Sequence, residues 1–380
     1  MKKLVIIVTV PVVLETWLKG QAKFLSQYYK VEIITAPSET INSIKLYENV
    51  SIVTMDFNRQ INLFKDLKVL WQLVRYFLKE KPSMVYTLTP KAGLLGMIAS
   101  WIARVRYRIH CVVGLPHLEA KGNRKTILSL TEKITYFFAS NIFCNSLNLK
   151  KVVSSMSTKP VNVIGNGSVN GVDTEFFKDK FSVEKKQRTL EKIGFRENHF
   201  IITFVGRIVK DKGINELIQA FYALSQEYEE ARLLLIGDYK NESDPISMES
   251  VDIIEKNSKI KYLEFQEDVR EYLAISNLFV LPSYREGLPN VLIEAGSYGV
   301  PMIATDINGC NEVIENNVNG LLVKKKDVGA LYYAMQKFVD DTSFYESIQM
   351  NVRKSIVTKY NQQYFWSELL HEFQKIESVK

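Results

Sequence analysis

The chain has only three cysteines, Cys111, Cys144 and Cys310, and no two of them share a redox or metal spacing such as C-x-x-C. They read as reduced thiols of a cytosolic chain. Histidines number four, and neither H-E-x-x-H nor a D-x-D pair for a nucleotide-bound metal occurs. A G-x-x-x-x-G-K-[ST] phosphate loop and a G-x-S-x-G nucleophile elbow are absent as well. No apolar run approaches the roughly 20 residues of a membrane span. The opening MKKLVIIVTVPVVLE has the lysines and apolar run of a signal peptide but no small-residue cleavage site. It is expected to form a first buried strand ended by Pro11.

At 380 residues, with 46% apolar and 24% charged side chains, the chain has the makings of a soluble or peripheral protein of two domains. Its net charge of +7 is unevenly spread. Residues 1–170 hold 23 Lys and Arg against 9 Asp and Glu, and the remainder holds 26 against 33. The basic half points to an anionic partner, whether nucleic acid, a phospholipid surface or a phosphorylated acceptor, or to a solvated basic surface.

Short β-branched runs alternate with helical patterns, as in parallel α/β sheets. The first half gives strands at LVIIVTV, KVEIITA, SIVTM, MVYTL, RIHCVV, NIFCNS and VNVIG, with helices such as KDLKVLWQLVRYFLKE and KTILSLTEKITYFFA between them. The second gives FIITFVG, ARLLLIG, IKYLEF, LFVLPS, PMIAT and GLLVK. The glycines and asparagines of GNGSVNGVDTEFF, residues 165–177, join the halves without regular structure. Two doubly wound domains with a ligand cleft between them are expected, because such sheets bind beyond the carboxyl ends of their strands.

Two stretches carry chemistry. FVGRIVKDKGINELIQAF runs from strand through turn to helix, placing Arg207 and Lys212 at a strand's carboxyl end, with Gly206 and Gly213 at the turn. A guanidinium, an ammonium and nearby N–H groups suit a pyrophosphate, although a basic loop without a ligand has the same sequence. SYREGLPNVLIEAGSYGVP holds Glu286 in a turn and Glu294 in the helix that follows, with Pro289 suited to that helix's first turn. Gly287 permits close backbone approach, and carboxylates accept from sugar and ribose hydroxyls. The alternative is one capping and one solvated glutamate. A weaker loop and helix start lies at Gly309 to Glu312, and His110 and His117 flank the turn CVVGLP.

Together these pieces resemble retaining glycosyltransferases of family 4, which adopt the two-domain GT-B fold. The matching residues are GRIVKDKG, LLLIGD, the Glu-x7-Glu frame EGLPNVLIE and GCNEVIENNVNGLLV. TPKAGLLGMIAS, RIHCVVGLPH and IGNGSVNGVD resemble the subgroup that builds capsular polysaccharides and pilin-type glycans. The resemblance implies two Rossmann-like domains facing across a cleft: an acceptor domain at 1–170, and a nucleotide-sugar domain at 171–358, with a helix at 360–378 crossing back to the first. It implies that Arg207 and Lys212 hold the donor diphosphate and that Glu286 binds the sugar. Gly206, Gly287, Leu288, Pro289 and Asn290 would line the sugar and phosphates, Glu294 would bind the ribose, and Phe265 would lie at the nucleobase. Three positions depart from the family: VPVVLETWLKG lacks the usual glycine pair after the first strand, Val113 replaces a common histidine, and Glu264 replaces a glycine beside the base.

The activity implied is transfer of a sugar, an N-acetylhexosamine from a UDP donor, to a lipid-linked glycan at the cytoplasmic membrane face. It would proceed with retention and without a metal or other cofactor, domain closure excluding water. The basic, aromatic helices of the first half then suit an anionic membrane rather than nucleic acid. The rivals are an epimerase or phosphorylase of the same shape and a non-catalytic sugar-binding protein.

Overall fold

The computed structural model describes residues 1–378 apart from 59–61, 116–119, 121 and 240–243. The chain divides into two compact units, Met1–Gly171 with Gln362–Lys380, and Val172–Asn361.

The first unit is built on seven strands: β1 (Lys3–Ile7), β2 (Lys30–Thr35), β3 (Ser51–Thr54), β4 (Met84–Thr87), β5 (Tyr107–Val112), β6 (Asn141–Cys144) and β7 (Val161–Val163). Their order is β3-β2-β1-β4-β5-β6-β7, and every pairing is parallel. Ile7 pairs with Ile34 on one side and Thr87 on the other. A parallel sheet is covered on both faces, so its strands are apolar throughout rather than alternating; Leu4 to Ile7 and all of β4 are buried. Helices Leu63–Glu80, Pro90–Ile102 and Gly122–Phe138 cover one face through Val69, Leu73, Phe77, Ala92 and Tyr136. The other face carries Gln21–Leu25, Ile41–Glu48 and the last helix, Gln362–Ser378. That last helix buries Phe365, Trp366, Leu369 and Phe373, with the Phe373 ring edge-on to Tyr86 at 5.4 Å.

The glycine- and asparagine-rich connection is irregular, as its composition predicts, but it is not a loose tether. Ser168, Val169 and Asn170 are buried. Asn170 Oδ1 accepts from Trp366 Nε1 at 2.6 Å, and its Nδ2 donates to the Lys19 carbonyl at 3.0 Å.

The second unit repeats the plan with β8 (Phe200–Val205), β9 (Ala231–Ile236), β10 (Ile260–Leu263), β11 (Leu278–Leu281), β12 (Met302–Thr305) and β13 (Gly320–Val323). The order is β10-β9-β8-β11-β12-β13, again wholly parallel. Each run read as a strand forms one, usually trimmed at its carboxyl end. The first, for example, stops at Ile7, and Pro11 opens the helix Val12–Thr16.

Candidate active site at the second sheet's switch point

In the second sheet β8 and β11 lie side by side, and the chain winds away from them in opposite directions. The loops that follow such a pair diverge, leaving a crevice at the carboxyl edge where backbone N–H groups stay open to a ligand. Residues 206–213 follow β8 and residues 282–289 follow β11, so the two chemistry-bearing stretches of the sequence meet here.

The loops are held backbone to backbone. Gly213 has φ +69, and a Cβ there would come within 2.1 Å of the Pro282 carbonyl oxygen. Gly309, with φ +81, would meet the Gly287 carbonyl oxygen at 1.8 Å. Neither site accepts a side chain, so glycine is what lets the loops after β8, β11 and β12 touch. Tyr284 N–H donates to the Asp211 carbonyl at 2.9 Å, and Asn308 Nδ2 donates to the Glu286 and Gly287 carbonyls at 3.1 and 3.2 Å.

Two ion pairs cross this junction. Lys212 Nζ, at the end of the 3-10 turn Lys210–Lys212, pairs with Glu286 Oε1, and both side chains are largely buried. Arg285 Nε donates to the Asp211 carboxylate at 2.9 Å, while Asp211 N–H donates to Asp244 Oδ2 at 2.9 Å. Tyr284 Oη completes the frame, donating to Glu216 at 2.6 Å. Arg207 is exposed at the start of the β8 loop, with no side-chain hydrogen bond or ion pair among the described residues.

Pro289 caps the helix Asn290–Ser297 without a side-chain hydrogen bond, so no side chain covers that N-terminus, and Leu292 N–H donates to the Pro289 carbonyl at 3.1 Å. Leu288 and Pro289 are buried beneath the loop, and Gly287 is partly exposed. Asn290 Oδ1 and Ser283 Oγ are buried with no partner among the described atoms. Glu294 lies one turn into the helix. It keeps some exposed surface, yet its carboxyl is sunk among protein atoms, and burial pushes it up to about 7. Burial, and then the neighbouring Glu286 charge, push the Cys310 thiol well above its usual range, which makes it an inert packing group rather than a nucleophile. Phe265 follows β10 at the sheet's edge and is 72% exposed.

Sequence reasoning placed Lys212 and Glu286 as separate ligand contacts and did not see them pair, nor did it find Arg285, Asp211 or Asp244. The alternating charges of KDK and YRE were the available signal. In the first unit, His110 is a core group. Its Nδ1 lies 2.9 Å from Thr87 Oγ1, Gly93 packs against its ring, and burial lowers it to about 4, so it is neutral at pH 7. His117 lies outside the described residues. After β1, where the glycine pair is missing, the Glu48 carboxylate accepts from Gly20 N–H at 2.6 Å and Lys23 N–H at 3.0 Å. Those donors are thus occupied from within the chain. No group of three or more His, Cys, Asp or Glu side chains among the described residues is arranged to hold a metal.

Residues 185–355, which contain this junction, match the family model described as glycosyl transferases group 1. The chain is also 36% identical over 357 residues to the capsular polysaccharide biosynthesis glycosyltransferase CapM of Staphylococcus aureus, covering 93% of this chain and 92% of that protein. The chain belongs to the group 1 glycosyltransferases. The CapM match extends through the first unit, so the kinship of this glycosyltransferase is not confined to its second half. An Escherichia coli relative, UDP-Gal:alpha-D-GlcNAc-diphosphoundecaprenol alpha-1,3-galactosyltransferase, is 29% identical over 314 residues, 80% of this chain and 78% of its own. The crystal structure of HepE from Anabaena in complex with UDP and glucose superposes with a TM-score of 0.81, at 19% identity, over 99% of this chain and all of that one. That likeness is one of fold, the two-domain GT-B arrangement of parallel sheets.

Proposed function

We propose that this glycosyltransferase moves a sugar from a UDP donor to a hydroxyl of a lipid-linked glycan in polysaccharide biosynthesis, with retention at the anomeric carbon, as a retaining enzyme of family 4. The observation that carries the reading is the junction of Lys212, Glu286 and an uncapped helix N-terminus at one switch point. The first supplies a cation for a diphosphate, the second an acceptor for sugar hydroxyls and the third N–H donors for a phosphate. The names of the capsular and diphosphoundecaprenol relatives support the pathway and the acceptor class, and the UDP complex of HepE supports the nucleotide.

In this reading Arg207 and Lys212 hold the diphosphate, and Lys212 exchanges Glu286 for a phosphate oxygen when donor binds. Glu286 is then released to the sugar hydroxyls. The N–H groups of Gly287, Leu288 and Asn290 meet the sugar and proximal phosphate along the stretch that includes Pro289, Glu294 meets the ribose, and Gly206 and Phe265 lie at the nucleotide. Bond breaking leaves the C1–O electron pair on the diphosphate, where Arg207, Lys212 and the helix terminus stabilise it without a metal. The acceptor oxygen bonds to C1 from the same side and gives its proton to the departing phosphate oxygen, so no protein nucleophile enters. The acceptor side of the reaction belongs to the first unit, and the enzyme works at the cytoplasmic face of the membrane.

The test is a nucleotide-sugar panel, with UDP-N-acetylhexosamines first, against a polyprenyl diphosphate-linked acceptor. UDP release and product configuration are followed by NMR. Acceptor-dependent turnover that persists in EDTA and conserves the anomeric configuration is expected. An inverted product overturns retention, and conversion of the UDP-sugar without acceptor makes the protein an epimerase instead.

A further inference from the structure

Helix Leu63–Glu80 carries two apolar stripes rather than one. Val69, Leu73 and Phe77 are buried against the first sheet, which accounts for its inner side. On the opposite side Phe64, Leu67, Trp71 and Leu78 repeat at helical spacing and stay in solvent, Phe64 89% and Trp71 61% exposed. At 3.6 residues per turn, Lys68, Arg75 and Lys79 fall along one border of that outer stripe, and all three are exposed. The Arg75 guanidinium lies over the Trp71 ring at 5.4 Å.

Helix Gly122–Phe138 repeats the composition. Ile127, Leu130 and Phe137 are exposed among Arg124, Lys125 and Lys133. Helix Pro90–Ile102 lies between the two and packs on both, and all three cover the same face of the sheet. Their outer sides therefore look the same way. Acidic groups are withdrawn from this surface: Asp66 pairs with Lys91 at 2.8 Å, Glu80 with Lys3 at 2.8 Å, and Glu132 is buried.

We infer that the outer sides of helices Leu63–Glu80 and Gly122–Phe138 dock the enzyme on an anionic lipid surface. A water-facing helix has no use for a second stripe of phenylalanine, tryptophan and leucine, and exposed apolar patches of this kind mark contact sites. Aromatic and leucine side chains bordered by lysine and arginine fit the boundary between acyl chains and anionic headgroups, where the rings enter and the cations remain at the surface. Among the described residues, these helices carry no exposed, unpaired acid, which gives the charge complementarity, and no described helix is long and apolar enough to cross a membrane. The inference rests on the lipid-linked acceptor reading for its purpose but not for its observations, so the two fail separately.

The experiment is flotation of the full chain with vesicles of phosphatidylcholine, alone or mixed with phosphatidylglycerol. Binding is expected on the mixed vesicles only and is expected to weaken as salt rises. The double variant F64E/W71E should lose at least about tenfold of that binding, and K68E/R75E should lose it on the anionic vesicles, both with unchanged circular dichroism. Turnover of a short-chain, water-soluble acceptor should be the same in F64E/W71E as in the parent, which separates docking from catalysis. Equal binding to both vesicle types, or flotation of F64E/W71E like the parent, overturns the inference. So does a dimer in size-exclusion chromatography that F64E/W71E dissolves, which would give the face to a second copy of the chain. Binding to duplex DNA that displaces the vesicles would give it to nucleic acid and overturn the inference equally.

Discussion

The two sheets share a plan and differ at their switch points. Beside β1 and β4 the first unit closes on itself. Thr9 N–H donates to Thr89 Oγ1 at 2.9 Å, and Glu48 takes the Gly20 and Lys23 N–H groups. Beside β8 and β11 the second unit leaves an exposed arginine, a lysine–glutamate pair and an uncapped helix end. The basic half of the chain is therefore not the half with the charged site. Its 23 cations against 9 acids include those spread over the outer helices, whereas the acidic second half sets a few cations in loops. Placement, not net charge, is what suits the second switch point to the diphosphate proposed for it.

The comparison is broken most directly by neutralising the second switch point. Lys212→Ala and Arg207→Ala should each lower kcat by about 100- to 1000-fold, the usual loss for a donor aimed at developing charge. Melting temperature should hold in Arg207→Ala, whose side chain is exposed, and fall in Lys212→Ala, which leaves the largely buried Glu286 unpaired. Glu286→Gln should cost turnover on the order of 100-fold. In the double variant with Lys212→Ala the losses should fall short of additive, because the two side chains are partners. Steady-state kinetics with UDP release checks all three.

Glu48→Ala should do the opposite in the first unit, at the start of the helix Gln21–Leu25. It orphans two backbone donors and should lower stability by about 2–4 kcal/mol, read by urea unfolding, while kcat of the folded protein holds. A fall in kcat without a fall in stability would give that helix start a role at the reacting atoms.

Glu294→Gln separates stability from activity. A carboxyl pushed up to about 7 by burial binds its proton more tightly in the folded chain than in the unfolded one. Its contribution is complete below about 4.3, the ordinary glutamate value, and is lost as pH rises to about 7. The glutamine variant should therefore be more stable than the parent at pH 8, by on the order of 1–3 kcal/mol, and no more stable at pH 4. Its donor KM should nonetheless rise. Arg285→Ala has the smallest expected effect, about a three- to tenfold loss of kcat/KM, because it loosens Asp211 behind Lys212 without touching the proposed donor.

The strands were legible because each is a short apolar run bounded by glycine, proline or asparagine; β11, LFVL ahead of Pro282, is an example. The helix that carries Glu294 was legible from Pro289 and the apolar spacing after it. The pairing of Lys212 with Glu286 was not, since 74 residues separate them and only strand order brings β8 beside β11. Gly213 and Gly309 show why loop geometry escapes a pattern: each is fixed by a carbonyl of another loop. The depth of Glu294 and the occupation of the N-terminus of Gln21–Leu25 by Glu48 are likewise matters of packing, which hydrophobic periodicity does not record.

Calorimetric titration of UDP and of the UDP-sugar against the parent, Lys212→Ala and Glu286→Gln tests the central claim most directly. Lys212→Ala should weaken both ligands by about 10- to 100-fold, as expected for loss of a charge-assisted contact, and Glu286→Gln should weaken the UDP-sugar while leaving UDP unchanged or tighter. Parent-like UDP affinity in Lys212→Ala, or equal loss of both ligands in Glu286→Gln, would contradict the division of diphosphate and sugar between these two side chains.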